Sequence, residues 1–421
     1  MKNSSKNLFL FTLFYIFGFL VFLSNEEENK YIKEKITIKD KKPFITINIG
    51  DQDKMDFLLS FSSPILITFP KKNNTDFRYD KSKGPFKSNN ISSKIKYLEN
   101  EYEFNIGTDN IVLNGKKNVF NFGNIKNDNF PDNDKFAGLF GLNWGKMDMQ
   151  NLKDNNIFLN QLIEKQLISK KIFYIEPYFK GNKILSESNI IIGKFPDKFD
   201  KKLPFCILKE NSKYYDCPIS NVSLEIKDNN NNLNKTTYFY GKSGIIEEEI
   251  NEQNYLPQSL FDNFKKYFKE KGCTEENSEI KCQNKDKIKN LKISLKISND
   301  ILNLNSESIW NEEKLNFKLS KEDKFILTNS IIGNFYRIYD IEEKKLYLKE
   351  VNIDNPKKDN SSTMILILTV CLIIFILIVV IVIITFVVAK KKSNLSQKVN
   401  KVSFQDEENN ENEEDQDGLL Y

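Results

Sequence analysis

Any hydrolytic chemistry in this chain has to be done by carboxylates. It holds 58 aspartates and glutamates and no histidine. That excludes Ser-His-Asp and Cys-His catalysis, HExxH zinc sites and histidine proton shuttles. What remains for a hydrolase is acid–base work by carboxylates alone. One candidate is the acidic run Glu247-Glu248-Glu249, readable as acid/base groups or as a solvated acidic turn. The other stretch of interest is "MDFLLSFSSPILITFP" (55–70), in which the apolar runs Phe57–Leu59 and Ile65–Phe69 are broken by Ser60-Phe61-Ser62-Ser63-Pro64. Its outer runs read as strands around a small polar turn. "GKS" at 241–243 has Thr236 where a phosphate loop needs its first glycine, so it reads as a turn.

The elements that must position these residues are many short strands and few helices. β-branched and aromatic runs predict strands at 43–49, 56–60, 65–69, 94–97, 101–106, 110–113, 117–122, 172–177, 189–193, 221–226, 291–297 and 335–349. A helix over 157–167 places Phe158, Leu159, Leu162 and Ile163 on one face. A second over 258–272 does the same for Leu260, Phe261, Phe264 and Phe268, and Gly272 suits its end. "FAGLFGLN" (136–143) and "NSIIGNFY" (329–336) read as an internal pair. Each presents two bulky residues and then a glycine, Gly141 or Gly333, where another backbone can approach closely.

Over roughly residues 40–350 the chain resembles the pepsin-like aspartic protease family. "FAGLFGLNWG", "FLNQLIEKQLISKKIFYIEPYF" and "SNIIIGKF" are similar to that family's DGILGLG, FLDQLKEQGLISKKIFSLYL and GEIIFGG stretches, and "FILTNSIIGNFYRIYD" to its closing WILGDVFLRKYYTVFD. The resemblance implies an all-β, bilobal fold with a central interlobe cleft. Its N-terminal lobe would span 30–195 and its C-terminal lobe 196–352. Tyr97 falls at the flap tyrosine, where it would pack on a ligand or serve as a structural aromatic, and Asp109 matches the aspartate after the flap. The catalytic Asp-Thr-Gly-Ser is replaced by Ser60-Phe61-Ser62-Ser63, so Phe61 stands for the threonine that ties the lobes together. The second Asp-Thr-Gly falls near Glu248-Glu249-Ile250, or one residue earlier at Glu247. Both catalytic motifs therefore read as degenerate, at Ser60 and Glu248, and the flap tip carries Glu99-Asn100-Glu101 instead of small residues.

The rest of the sequence sets a topology. Residues 1–24 have two lysines and then an apolar run, the plan of a signal peptide, with an uncleaved anchor as the alternative. A juxtamembrane linker (353–363) precedes residues 364–389, twenty-six residues without a charge and long enough to cross a bilayer. Lys390-Lys391-Lys392 then mark the cytoplasmic side. These features predict a single-pass type I membrane protein of the secretory pathway, cell surface or endolysosomal membrane. Cys371 lies in the span. Cys206, Cys217, Cys273 and Cys282 permit three pairings, of which the chain order favours 206–217 and 273–282. Glycosylation sequons occur at Asn73, Asn90, Asn221, Asn234 and Asn360. Lys+Arg 62 nearly balances the acids, so no nucleic-acid partner is expected, nor any metal or cofactor. The tail (390–421) reads as disordered and acidic, and Asp415, Leu419 and Leu420 fit an acidic dileucine signal for coat adaptors.

The leading expectation is a membrane-anchored binding module that does not cut, with a peptide or protein ligand in the interlobe cleft. The alternatives are a membrane-bound aspartic endopeptidase with a degenerate site and a structural surface coat protein.

Overall fold

Strand-forming runs separated by polar turns build two large sheets. The computed structural model describes residues 30–351 apart from short stretches (among them 72–77, 98–99, 127–134, 145–148, 210–214, 228–232, 249–252 and 284–290), together with most of 375–390. Contacts divide the chain into one unit ending at Val351 and a second from Asn352 onward. Among the described residues the first unit holds a 13-stranded sheet, a 10-stranded sheet and a small two-stranded one. The mostly-β expectation holds.

The larger sheet passes through both halves of the chain. Its order begins Phe205–Ile207, Lys345–Glu350, Phe335–Asp340, Ile172–Ile175, Asn189–Ile192, Ile32–Lys39. Three of these strands come from early in the chain and three from late. The seam lies where Ile172–Ile175 pairs antiparallel with Phe335–Asp340, placing Phe173 opposite Tyr339 and Tyr174 opposite Ile338. The expected single strand over 335–349 is two, Phe335–Asp340 and Lys345–Glu350, paired as a hairpin. Its turn residue Lys344 has φ 55°, a left-handed conformation that reverses the chain.

Both helices form and bury the expected faces, except that Ile163 is only half-buried. Phe158–Glu164 is shorter than its pattern because Gln166 takes a left-handed φ of 53°. It buries Gln161 as well, whose amide donates to Asn121 O and Asn156 O (2.9 and 3.0 Å) and accepts from Asn121 N (2.7 Å). Such complete satisfaction makes a buried amide tolerable. Gln258–Lys269 buries Leu260, Phe261, Phe264, Tyr267 and Phe268, and the turn after it passes through Gly272 at φ +83°. Disulfides join Cys206 to Cys217 and Cys273 to Cys282, the pairings the order favoured. The second closes a hairpin (Thr274–Glu276 with Glu279–Lys281) directly behind the helix.

Two expectations need correction. Residues 241–243 are not a turn but part of the long strand Leu233–Glu248, with Lys242 opposite Ile219. A register shift between Ile219 and Asn221 forms a bulge there, and Gly241 takes the positive φ (+66°) on the bulged strand. Gly333 does not close a strand either. It follows the short helix Asn329–Ile332, and its missing Cβ leaves room for the rings of Tyr178 and Phe179, each 2.5 Å from where that atom would be.

In the second unit, residues 378–390 are helical and their apolar side chains, Val379 to Val388, are exposed. Among the described residues no helix is long and apolar enough to cross a membrane. The first part of the expected span (364–374), the leader, Asn73, Asn360 and the tail with Asp415, Leu419 and Leu420 lie outside the described residues.

One buried acid makes stability depend on pH. Glu350, on the last strand opposite Phe335, has its carboxyl pushed up to about 7 by burial, against a smaller lowering by Lys292. A raised carboxyl favours the native state while it is neutral. That contribution is complete below the ordinary glutamate range of about 4.3 and is lost as pH rises through about 7. Glu350→Gln keeps the shape without the charge. Its melting temperature should therefore fall less than the wild type's between pH 5 and pH 8 in parallel thermal scans, and equal falls would show that Glu350 carries no such linkage.

Candidate functional site

The polar break at Ser60–Pro64 sits inside a three-strand motif. Strand Met55–Ser60 runs parallel to Gly138–Gly141, with Ser60 opposite Gly141. The chain then loops and returns as Ile67–Thr68 on the far side of the same strand, antiparallel, with Ile67 opposite Leu139. Strand Gly138–Gly141 is thus held between the two arms. Its continuation clasps the loop: Leu142 N donates to Ser60 O (2.8 Å), Asn143 N to Ser63 O (2.9 Å), and the Asn143 amide to Phe61 O (2.8 Å). Only glycine fits at 141, since a Cβ there would lie 2.2 Å from Ile65 O and 2.6 Å from Ser63 O.

The same motif recurs in the second half. Strand Leu233–Glu248 runs parallel to Ile326–Thr328, with Glu248 opposite Thr328. Strand Asn254–Leu256 returns antiparallel on the other side, with Tyr255 opposite Ile326. Ser60 precedes Ile67 by the same seven positions that separate Glu248 from Tyr255. By register and by loop length, Glu248 is the counterpart of Ser60. The bulge between Ile246 and Glu248 makes Glu247 the extra residue of the ladder. The side chains of Glu247 to Glu249 lie outside the described residues.

The counterpart of Gly141 is therefore Thr328, not Gly333. A buried polar cluster accommodates it. Asn254, fully buried, accepts from Thr328 N (2.8 Å) and its hydroxyl (3.2 Å), and donates to Asn316 O and Ser330 Oγ (both 2.9 Å). The expected repeat is two apolar residues followed by a glycine. The second copy has no glycine, so "FILTN" gave no such signal.

Ser60 is fully buried. Its Oγ lies 3.2 Å from Ser62 Oγ and accepts from Ser63 N at 3.2 Å, while Ser63 Oγ donates to Ile65 O at 2.7 Å. These are the bonds of a serine-rich turn. Phe61, next along, is 1% exposed and points into the seam. Its ring stacks on Tyr339 (5.6 Å, 22°) and Phe173 (6.4 Å, 28°) and meets the edge of Tyr215 (6.3 Å, 70°). Phe173 and Tyr339 stack at 4.4 Å across the seam. Tyr215 also donates its hydroxyl to Leu142 O (2.7 Å), joining the second half to the loop of the first.

Tyr97 ends the strand Lys87–Tyr97 of a long hairpin, opposite Asn100. Its ring is buried and packs at 5.4 Å on Phe69 within a hydrophobic cluster. Asp109 is buried and accepts the Tyr79 hydroxyl at 2.7 Å. Burial first, then Asp109, pushes the Tyr79 phenol well up, so it stays a donor. Gly50 and Gly84 make room for Asp109 Oδ2, which would stand 2.8 and 2.6 Å from a Cβ at each. Asn90 and Asn234 are exposed on strands and Asn221 is half-buried.

The family model for eukaryotic aspartyl proteases matches residues 66–351, beginning beyond the Ser60–Ser63 loop and including Glu248. A search of curated proteins finds no match.

Phe61 is the residue of this site whose structural role is most directly measurable. Phe61→Ala should cost about 3–5 kcal/mol, the usual penalty for emptying a buried aromatic site. Phe61→Leu, which keeps most of the volume, should cost under about 2 kcal/mol. Denaturant midpoints of the two variants check this, and a small loss for Phe61→Ala would mean that the ring does not hold the seam.

Proposed function

The chain belongs to the eukaryotic aspartyl protease family, and on that premise we propose that it is a membrane-anchored member that binds peptide or protein ligands without cutting them. The observation that carries this reading is Ser60. It stands at the closed end of the first strand-loop-strand motif, buried, with its hydroxyl engaged by Ser62 and Ser63. Acid hydrolysis by paired carboxylates needs one carboxylate from each half, sharing a proton. A serine hydroxyl holds no charge near neutral pH. Glu248, in register at the matching place, would have no like-charged neighbour across from it to raise its pKa. Phe61 supports the same reading, because its side chain is a ring stacked in the seam and carries no hydroxyl of its own. Meanwhile the scaffold is kept: both motifs and the seam are intact, which is what a ligand-holding member needs.

The anchor rests on the uncharged segment 364–389 followed by three lysines, and on the exposed apolar side chains of helical residues 378–390. With the leader and the sequons, these features support a type I glycoprotein of the secretory pathway.

The purified exoplasmic region should not cleave a broad peptide library at any pH from 3 to 7, yet should retain a subset of its peptides on a column. Ser60→Asp should lower stability, since it buries a new carboxylate in the turn that Ser62 and Ser63 close. Turnover blocked by a transition-state analogue of peptide hydrolysis would replace this reading with that of an endopeptidase using Glu248.

The tail makes a separate expectation. Asp415, Leu419 and Leu420 offer a carboxylate to basic residues of a coat adaptor and two leucines to an apolar pocket. Leu419→Ala with Leu420→Ala should shift the protein from endolysosomal membranes to the cell surface in fluorescence imaging. An unchanged distribution would remove the sorting role.

A further inference from the structure

On the solvent face of the 10-stranded sheet one residue is out of character. Strand Asp216–Lys227 is paired on both sides, by Leu233–Glu248 and by Leu291–Ile297. Its inward side chains, Val222 and Leu224, are buried, as are Ile293 and Leu295 beside them. The outward face carries polar groups: Ser223 bonded to Thr237 (2.9 Å), Lys235 paired with Glu225 (2.7 Å), and Lys296. In that polar row stands Phe239, 81% exposed, the most exposed large apolar side chain among the described residues. Residues directly opposite in an antiparallel pair share a face, with Cβ atoms about 5 Å apart. The residue opposite Phe239 is Asn221, the acceptor of the sequon Asn221-Val222-Ser223.

We propose that Asn221 carries an N-linked glycan whose first N-acetylglucosamine packs on the Phe239 ring. The inference rests on the secretory reading above. A pyranose ring offers one face of C–H bonds, whose partial positive charge suits the negative face of an aromatic ring. The sugar would cover the apolar surface that this face otherwise leaves to water. The bulge places the ring for that role. Phe239 leans over Gly241, where a Cβ would lie 2.6 Å from its tip, so Gly241 both turns the strand and gives the ring a seat. On its other side Asn221 faces Lys296, whose long polar side chain offers no comparable platform. In the transfer step the Asn221 amide nitrogen bonds to C1 of the sugar at the end of a polyisoprenoid-diphosphate-linked oligosaccharide. The C1–O bond to the diphosphate breaks, the lipid diphosphate leaves with the bonding pair, and the amide gives up one proton. No oxidant or reductant is needed.

The test uses the full chain made in a secretory eukaryotic cell. Glycopeptide mapping reads occupancy at Asn90, Asn221 and Asn234, and a timed digest of the native protein with a peptide-N-glycanase reads how fast each glycan is released. The expected result is an occupied Asn221 whose glycan leaves about two- to tenfold more slowly than that on Asn234, the range of an ordinary aromatic stack. Phe239→Ser should abolish the difference and Phe239→Trp should keep it. An unoccupied Asn221 beside an occupied Asn90 or Asn234 would overturn the inference and leave the secretory reading standing. Equal release rates in the wild type and Phe239→Ser would overturn it as well. Bare asparagines at all three sites would remove the secretory reading, and this inference with it.

Discussion

The fold depends on one aromatic contact at the seam between its halves. Phe173 and Tyr339 face each other on the two strands that join the early and late parts of the large sheet, their rings 4.4 Å apart. Phe61 and Tyr215 pack on that pair and on each other, Phe61 from the loop of the first motif and Tyr215 from the second half. The Ser60–Pro64 loop is thereby fastened to the seam through the Phe61 ring. Ring pairs of this kind add about 0.5–1.5 kcal/mol each beyond the area they bury. The contact therefore fixes two things together: the relative placement of the halves and the course of the Ser60–Ser63 turn.

Duplication imposes the second constraint. Each half threads a strand between two arms of a loop, and the crowding there has to be relieved in each copy. The first half does so by deletion, with Gly141 lacking the atom that would strike two carbonyls. The second does so by bonding, with Thr328 tied to Asn254 and that amide tied on to Asn316 and Ser330. The bonded solution is workable because the buried polar atoms of Asn254 all find partners. Two chemistries thus serve one topology.

That difference explains how far the architecture was legible in the sequence. Local periodicity exposed the helix faces, because Leu260, Phe261, Phe264 and Phe268 recur at helical spacing. Chain order indicated the two short disulfide loops. The Ser60–Pro64 break was visible because small polar residues interrupt two apolar runs. The strand Leu233–Glu248 was not visible, since its solvent face is polar and Gly241 reads locally as a turn; only pairing on both sides makes it a strand. The second copy of the motif centres on Thr328 and not on Gly333 for a related reason. Glycine was the expected signal, and the structure uses threonine with a distant asparagine, 74 positions away in sequence. Long-range hydrogen bonds leave no local pattern.

The residues around Ser60 also bear on how a catalytic scaffold becomes a holding one. If the chain binds rather than cuts, the change is not confined to a missing carboxylate. Serine at 60 is neutral, and its hydroxyl takes part in the turn's own hydrogen bonds with Ser62 and Ser63. Phenylalanine at 61 exchanges a polar tie for ring stacking in the seam. On that reading each residue stabilises a loop that does no chemistry, and their effects are coupled because residues in contact do not contribute independently. An aspartate placed at 60 alone would enter a buried turn already closed by its neighbours. On the binding reading, recovering a shared-proton pair with Glu248 would require reopening the turn and replacing the ring as well as changing residue 60, and each of the first two steps weakens the native state before the last makes them useful.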